Sequence, residues 1–436
     1  MPASRTRRIA EACPQSPARR TGKLLDQTTS KPTGSGRPRG PANLLFCRFL
    51  DGHIKSGALE VVFADGSRAQ FGSPGSNSLD IAIRLTDSGV ARSILLDPAL
   101  GAAEAFMDGR LVIERGDVMG LVDLFARNAP WEAGASYNRP SPLRKLGNRI
   151  AFHGEQLNNA VRSRANVAHH YDIGNPLYQL MLDPEHMQYS CGYWPREGMT
   201  LGEAQEAKLA HIAAKLALEP GQRVLDIGCG WGGFARHAAT HHGATVVGIS
   251  PASEQVTEAR RRAGGLPVEF QQQDYREVTG SYDRIVSIGM MEHVGPRNYA
   301  EFFDRCDDLL EPDGLMLHHT IGSNESTQSV DAWFDRYIFP GGVVPSLHQI
   351  AGAAQPRWAV EDVQNLGPDY DRTLLAWHAN IEARWEEVPG YDERFRRTWR
   401  YYLLSSAASF RVRNLQLLQI VFSRTGRASP VYEGIR

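Results

Sequence analysis

The sequence predicts an α/β protein: a doubly wound, mostly parallel sheet of seven strands, preceded by a small mixed α+β domain. Three observations predict it. From Gln222 onward, short apolar runs rich in β-branched residues alternate with stretches of helical periodicity, which is the pattern of βαβ units. The first of these runs opens into a glycine-rich turn, Gly228-Cys229-Gly230-Trp231-Gly232-Gly233. Well before that alternation begins, residues 58–63 and 67–71 flank Ala64-Asp65-Gly66, a hairpin signal that belongs to a different kind of sheet. A chain of 436 residues has room for about two to three domains.

Taken in order, residues 1–42 are expected to be a disordered basic tail. Residues 1–41 hold nine Arg or Lys against two acids, amid Pro, Gly, Ser and Thr, so they cannot bury enough apolar area to offset the cost of ordering. The acid-poor, Arg/Ser-rich character also resembles a transit peptide and would attract anionic lipid weakly. A small domain is expected over 43–130, with the hairpin, a third strand at 82–85 and helices over 100–106 and 118–126. Residues 131–165 read as a linker with some helix. Helices are expected over 166–182 and 200–218, with the aromatic connector Gln188-Tyr189-Ser190-Cys191-Gly192-Tyr193-Trp194 between them. The large domain runs from 166 to 436. Its strands are read at Arg223–Ile227, 245–249, Val268–Gln272, 284–288 and 315–319. A helical insertion (329–339 and 346–354) follows, then strands at 359–364 and 417–423 separated by two helices.

Composition narrows the function. A hydrophobic content of 42% supports a sizeable core, and a net charge of −1 argues against nucleic acid as a partner. The five cysteines form no CxxC pair, which suits a reducing cytoplasm. No apolar run approaches the roughly 20 residues needed to cross a bilayer, so contact with lipid would be peripheral.

In open parallel sheets, ligands bind beyond the carboxyl ends of the strands. Those ends collect 228–233, 250–255, 274–276, 289–293 and 319–322. Gly228, Gly230 and Gly233 satisfy a dinucleotide spacing, so the loop alone does not name its ligand. Two details favour S-adenosylmethionine (SAM). Asp226, before the glycines, would repel a pyrophosphate and attract an ammonium group. The next strand ends at Ser250, where a dinucleotide site wants an acid. The D-x-G-x-G form resembles motif I of the SAM-dependent methyltransferases. Glu292 follows the fourth strand among apolar residues and glycines, a setting for a functional carboxylate. His319 should point into the cleft and His318 away from it, because side chains alternate along a strand. His237, His241 and His242 share a helix, and His169-His170 precede a tyrosine, but neither group has a carboxylate or thiolate at ligand spacing, so no metal is expected. Cys191 lacks a partner histidine nearby and is read as lining the site.

Several motifs together resemble one family. They are Ala168-His169-His170-Tyr171-Asp172-Ile173-Gly174-Asn175, the connector 188–194, the glycine loop, Glu292-His293-Val294-Gly295, His319-Thr320-Ile321-Gly322, Tyr337-Ile338-Phe339-Pro340-Gly341-Gly342 and Gly367-Pro368-Asp369-Tyr370-Asp371. Over about 166–425 the chain resembles the cyclopropane-fatty-acyl-phospholipid synthases and mycolic acid cyclopropane synthases, which implies a methyltransferase sheet and methylene transfer from SAM to a cis double bond of an unsaturated phospholipid. By that resemblance Cys191, Glu292, His319, Ile321 and Tyr370 would hold a bicarbonate ion. Tyr189, Ser190, Asp226, Gly228, Gly230, Gly232, Gly233, Ser250, Gln255, Tyr275 and Arg276 would hold SAM. The sequence departs from the family at Ser250-Pro251-Ala252-Ser253, where a Thr-aliphatic-Ser run is usual.

The chemistry suits these residues. An alkene is a weak nucleophile, so the sulfonium methyl must be held in line with it in a dry site. Aromatic faces at Tyr193, Trp194, Trp333, Phe334 and Tyr337 are candidates to stabilise the resulting cation, with ordinary packing as the competing reading. A bound anion can then take the proton that ring closure releases. A sibling activity leaving a methyl or methylene branch, and a dinucleotide-dependent oxidoreductase, are the alternatives. The enzyme is expected at the inner membrane surface, with a homodimer as the assembly to test. The run Arg394-Phe395-Arg396-Arg397-Thr398-Trp399-Arg400-Tyr401-Tyr402 mixes cations and rings as headgroup-binding helices do, or else packs on the sheet with its arginines paired to acids.

Overall fold

A computed structural model describes residues 38–73, 79–129, 174–327, 331–355, 357–426 and 432. The basic tail to residue 37, the linker and the motif residues 168–173 lie outside the described residues.

The large sheet is built around β5 (Arg223–Ile227), whose residues Val224 to Ile227 are all buried. On one side lie β6 (Thr245–Ser250) and β7 (Val268–Gln272); on the other β8 (Tyr282–Ile288), β9 (Leu310–Ser323), β11 (Leu415–Arg424) and β10 (Trp358–Asn365). The seven-stranded order is β10-β11-β9-β8-β5-β6-β7. Strands β5 to β9 pair in parallel, and β11 inserts antiparallel between β9 and β10. Alternation along β5 feeds two cores: Leu225 and Ile227 join Phe302 and Phe303 on one face, and Val224 joins Phe234 and Ala238 on the other. Burial on both faces is what a parallel sheet with helices on each side requires. The connections leaving the neighbouring strands β5 and β8 run in opposite directions, to β6 and to β9, so a crevice opens at their carboxyl ends.

The small sheet has the order β2-β1-β3-β4, from β1 (Gly57–Val62), β2 (Arg68–Ser73), β3 (Asp80–Leu85) and β4 (Leu111–Arg115). The expected hairpin is β1 and β2, while β1 and β3 pair in parallel. Three elements here go beyond the sequence expectation: helix Pro41–His53, helix Gly89–Leu96 and β4. The first starts at a proline directly after glycine-rich chain, and β4 has only three apolar residues before Glu114, so neither carries a strong periodic signal.

Helix Glu393–Arg411 joins the two parts. It packs on helices Pro98–Met107 and Val118–Asn128, and Trp399 and Tyr402 share one apolar cluster with Met107, Met119 and Val122. The four arginines of the 394–402 run are all paired. Arg394 binds Asp108 at 2.8 Å, Arg396 and Arg400 converge on Glu382 at 2.9 and 2.6 Å, and Arg397 binds Glu393 at 3.2 Å. This helix is a structural joint, and its arginines are paired to acids as the packing reading of its composition expected.

Candidate active site

The turn after β5 is shaped by backbone that only glycine adopts readily. Gly228, Gly230 and Gly232 all have positive φ (85°, 54° and 77°), and a Cβ at Gly232 would stand 2.4 Å from the Phe270 ring. Helix Gly233–His242 starts directly from that turn. Beyond it lies a cavity lined by Tyr189, Ser190, Asp226, Gly228, Gly230, Ser250, Gln255, Tyr275 and Arg276, which brings together nine of the residues expected to hold SAM. Gly232 and Gly233 are not on its wall. They serve packing: Gly232 accommodates Phe270, and the Cα of Gly233 lies against the carbonyl of His186 and the amide of Gln188.

The electrostatics centre on two buried charges. Asp226 is 1% exposed, and its Oδ2 has no hydrogen-bond partner. Burial pushes its carboxyl up to about 7, against the opposing pull of Lys208. Lys208 is fully buried; its Nζ donates to Ser190 Oγ at 3.0 Å and to Gln188 Oε1, and burial pushes it down to about 7. Gln205 Nε2 donates to the Ser190 carbonyl at 2.9 Å. The aromatic connector is thereby pinned onto helix Leu201–Lys215. Across the cavity, Ser250 Oγ accepts from the Ala252 amide at 3.2 Å and lies 3.1 Å from Gln255 Oε1, so the unusual Ser250-Pro251 turn still presents both side chains. Arg276 is held by Asp274 at 3.1 Å and stacks its guanidinium 4.9 Å from the Tyr275 ring centroid.

A second group lies off the wall of that cavity. Glu292 sits in the short helix Met291–Val294, where its Oε1 accepts from the Ile321 amide at 2.7 Å and its buried Oε2 has no partner. Burial raises its carboxyl above the ordinary range. His319 is 1% exposed; its Nδ1 is 3.2 Å from Gln419 Nε2, and its Nε2 has no partner. His318 faces the opposite side, against Phe302 and Phe303, as alternation requires. Cys191 directs its thiol to the carbonyls of Gly192 at 3.0 Å and Leu366 at 3.8 Å, and burial pushes the thiol up, away from a nucleophilic thiolate. The Tyr370 amide also donates to the Leu366 carbonyl, at 3.3 Å. The Leu366 amide donates to Leu417, which pairs with Ile321 across β9 and β11. One backbone relay thus gathers Cys191, Tyr370, Ile321 and Glu292.

The aromatic candidates are packed. Trp194 Nε1 donates to Thr373 Oγ1 at 2.9 Å, Tyr193 stacks on His211, and Trp333 is buried between Phe334, Tyr337 and Tyr401. Sequence reading placed Trp231, Asp274 and His293 at the strand ends and Gln188 in the connector without giving them individual roles, and all four line the cavity; it missed Lys208 behind the wall. Lys208 carried one usable signal: with Gln205, His211 and Lys215 it falls at three- and four-residue spacing on a helix that otherwise buries alanine, leucine and isoleucine.

Comparison with known proteins agrees with this geometry. The family described as "Mycolic acid cyclopropane synthetase" matches residues 158–420. The chain is 43% identical over 361 residues to the cyclopropane-fatty-acyl-phospholipid synthase of Escherichia coli (strain K12), spanning 82% of this chain and 91% of that one. It is 34% identical to the cyclopropane mycolic acid synthase MmaA2 of Mycobacterium tuberculosis (strain H37Rv), over 59% of this chain and 96% of the relative. Among solved structures, the mycolic acid cyclopropane synthase CmaA1 complexed with SAH and CTAB matches with a TM-score of 0.56 at 32% identity, covering 60% of this chain and 98% of that one. An orphaned carboxylate beside a glycine turn, on a sheet of this order and with relatives at this level of identity, places the chain in the mycolic acid cyclopropane synthetase family, as a SAM-dependent methyltransferase.

Proposed function

We propose that the enzyme is a cyclopropane-fatty-acyl-phospholipid synthase, adding a methylene from SAM across the cis double bond of an unsaturated phospholipid acyl chain. The observation that carries this reading is the pairing of a cofactor cavity with a dry, half-satisfied polar group behind it. Asp226 Oδ2, buried without a partner, fits the ammonium of SAM, while the absence of an acid at Ser250 disfavours a dinucleotide. When bound, SAM supplies an electrophilic methyl group. The polar group fits a small anion such as bicarbonate. Glu292 presents its buried, unpartnered Oε2, and burial shifts its carboxyl toward the protonated form, which can donate to an anion. The Gln419 amide donates to His319 Nδ1, so the neutral ring carries its proton on Nε2, a second donor. Ile321 contributes by fixing Glu292 through its amide. These residues would hold a bicarbonate ion, which would supply the base for the proton lost on ring closure.

The substrate reaches the enzyme from a membrane surface. No helix among the described residues is long and apolar enough to cross a membrane. Leu44 and Leu45 on helix Pro41–His53 and Leu96 at the end of helix Gly89–Leu96 are exposed, beside exposed Arg48 and Arg92, a mix suited to an anionic headgroup boundary. Free Cys47, Cys191, Cys229 and Cys306 support a reducing, cytoplasmic setting on the inner face.

Expression in a host with unsaturated phospholipids, followed by mass spectrometry and proton NMR of the lipids, tests the reading. The expected result is a gain of one CH₂ with loss of the alkene protons. A gain of CH₂ as a methylene branch, or of CH₄ as a saturated methyl branch where the host supplies a reductant, would assign the sibling activity, which the relative named tuberculostearic acid methyltransferase (34% identical over 287 residues) makes the second reading.

A further inference from the structure

Away from the cofactor cavity, on the outer side of helix Gly233–His242, the fold assembles a cluster that the sequence spacing did not show. His237 and His241, four residues apart, share one face of that helix. The missing carboxylate comes from the neighbouring helix Leu201–Lys215: Glu206 Oε1 lies 3.3 Å from His237 Nδ1. One ligand atom each from Glu206, His237 and His241 lies within 4.8 Å of the other two. We propose that Glu206, His237 and His241 form a binding site for a divalent transition-metal ion of the zinc type, structural in role, that clamps the wall of the cofactor cavity from outside.

Two features distinguish this cluster from an ordinary buried hydrogen-bonded histidine. His237 is 4% exposed, yet neither of its ring nitrogens makes a hydrogen bond, Nδ1 only facing Glu206 Oε1 at 3.3 Å; a packing histidine normally satisfies at least one. The carboxylate is oriented from behind, since His186 Nε2 meets the other Glu206 oxygen at 2.8 Å, the kind of outer hydrogen bond that fixes metal ligands. Tetrahedral zinc with bonds of about 2.0–2.1 Å needs its ligand atoms roughly 3.3 Å apart. Glu206 is half-exposed and His241 exposed, so both can turn inward by the remaining ångström or so while His237 stays in place.

The location gives the ion a consequence. The His186 carbonyl lies against Gly233, at the head of the helix that leaves the glycine turn, and accepts from Gln188 Nε2 at 3.3 Å. Gln188, Tyr189 and Ser190 line the cofactor cavity. An ion on Glu206, His237 and His241 therefore ties together the two helices and the connector that form one wall.

The experiment uses the full chain, stripped with chelator and then titrated with zinc sulfate or with magnesium chloride. The expected result is one zinc per chain by elemental analysis after desalting, a rise in Tm with zinc and none with magnesium, and a cobalt-substituted form with visible d–d absorption. His241→Ala and Glu206→Gln, both at accessible positions, should lose the zinc rise in Tm and weaken zinc binding at least tenfold while keeping the metal-free Tm. Retention of no zinc above the magnesium background overturns the site. Equal zinc uptake by wild type and both variants also overturns it, because the ion then sits elsewhere. None of these readouts depends on the reaction proposed above.

Discussion

At the scale of single residues, the site holds buried polar atoms short of partners, at Asp226, Glu292 and His319, as the proposed ligands would require. For Asp226 the folded carboxyl sits near 7, well above the usual unfolded value of about 3.9. Between about pH 4 and 7 the native state therefore holds a proton that the unfolded state has released, and stability falls as pH rises through that window. Asp226→Asn removes this cost, so its thermal stability at pH 8 should equal or exceed that of wild type. The same change should weaken SAM binding by about 10- to 100-fold, since a hydrogen bond to a charged group contributes about 1.5–3 kcal/mol. Wild-type SAM affinity should rise between pH 6 and 8, with the variant flatter; wild-type affinity in the variant, measured by calorimetry, would remove Asp226 from its role. Glu292→Gln keeps the acceptor for the Ile321 amide but not the carboxyl. It should lower ring formation by about 10²- to 10⁴-fold with SAM affinity retained, a loss confined to the chemical step. Unchanged turnover in assays of the purified variant would refute the assignment. Most of these residues were legible in the sequence because glycines, Asp226 and Glu292 stand next to strand ends. Lys208 was not, because a lysine on a helix normally reads as solvated.

At the scale of elements, helix Leu201–Lys215 shows how burial can be polar. Gln205, Lys208 and Lys215 are all fully buried, and Lys215 Nζ pairs with Asp362 on β10 at 2.8 Å. Removing one partner leaves a buried, uncompensated charge. Lys215→Ala should therefore cost about 3–5 kcal/mol in chemical denaturation, whereas Lys215→Met with Asp362→Leu should recover most of it. A single variant as stable as wild type would show that water reaches Asp362. The strands of the large sheet were legible because each is a short β-rich run between helical stretches, and only their ends shifted; β9 extends to Leu310–Ser323 where 315–319 was expected. The 394–402 run was ambiguous for a physical reason: helical spacing put its arginines beside its rings, but the acids that neutralise them, Asp108 and Glu382, are distant in sequence. Periodicity cannot see such partners.

At the scale of the whole molecule, the proposed phospholipid substrate raises the question of which surface would meet a membrane. With Arg396 and Arg400 committed to Glu382, a candidate among the described residues is the outer face of the small sheet's helices, where helices Pro41–His53 and Gly89–Leu96 pack together. Leu44, Leu45 and Leu96 keep 56%, 58% and 67% of their surface in water. Burying that remainder in a headgroup boundary is worth about 1 kcal/mol or more for each leucine. Arg48 and Arg92 add roughly 1 kcal/mol each near an anionic surface. A sum near 5 kcal/mol gives reversible docking, which a peripheral enzyme needs if it is to move between substrates. Leu44→Asp with Leu45→Asp should therefore abolish co-sedimentation with anionic vesicles while leaving SAM affinity intact, because neither leucine lies near the cavity. Arg396→Glu with Arg397→Glu should do the opposite, lowering stability through the loss at Glu382 without changing vesicle binding. If the arginine variant loses the vesicles and the leucine variant keeps them, the long helix is the docking surface after all and its ion pairs must open at the membrane.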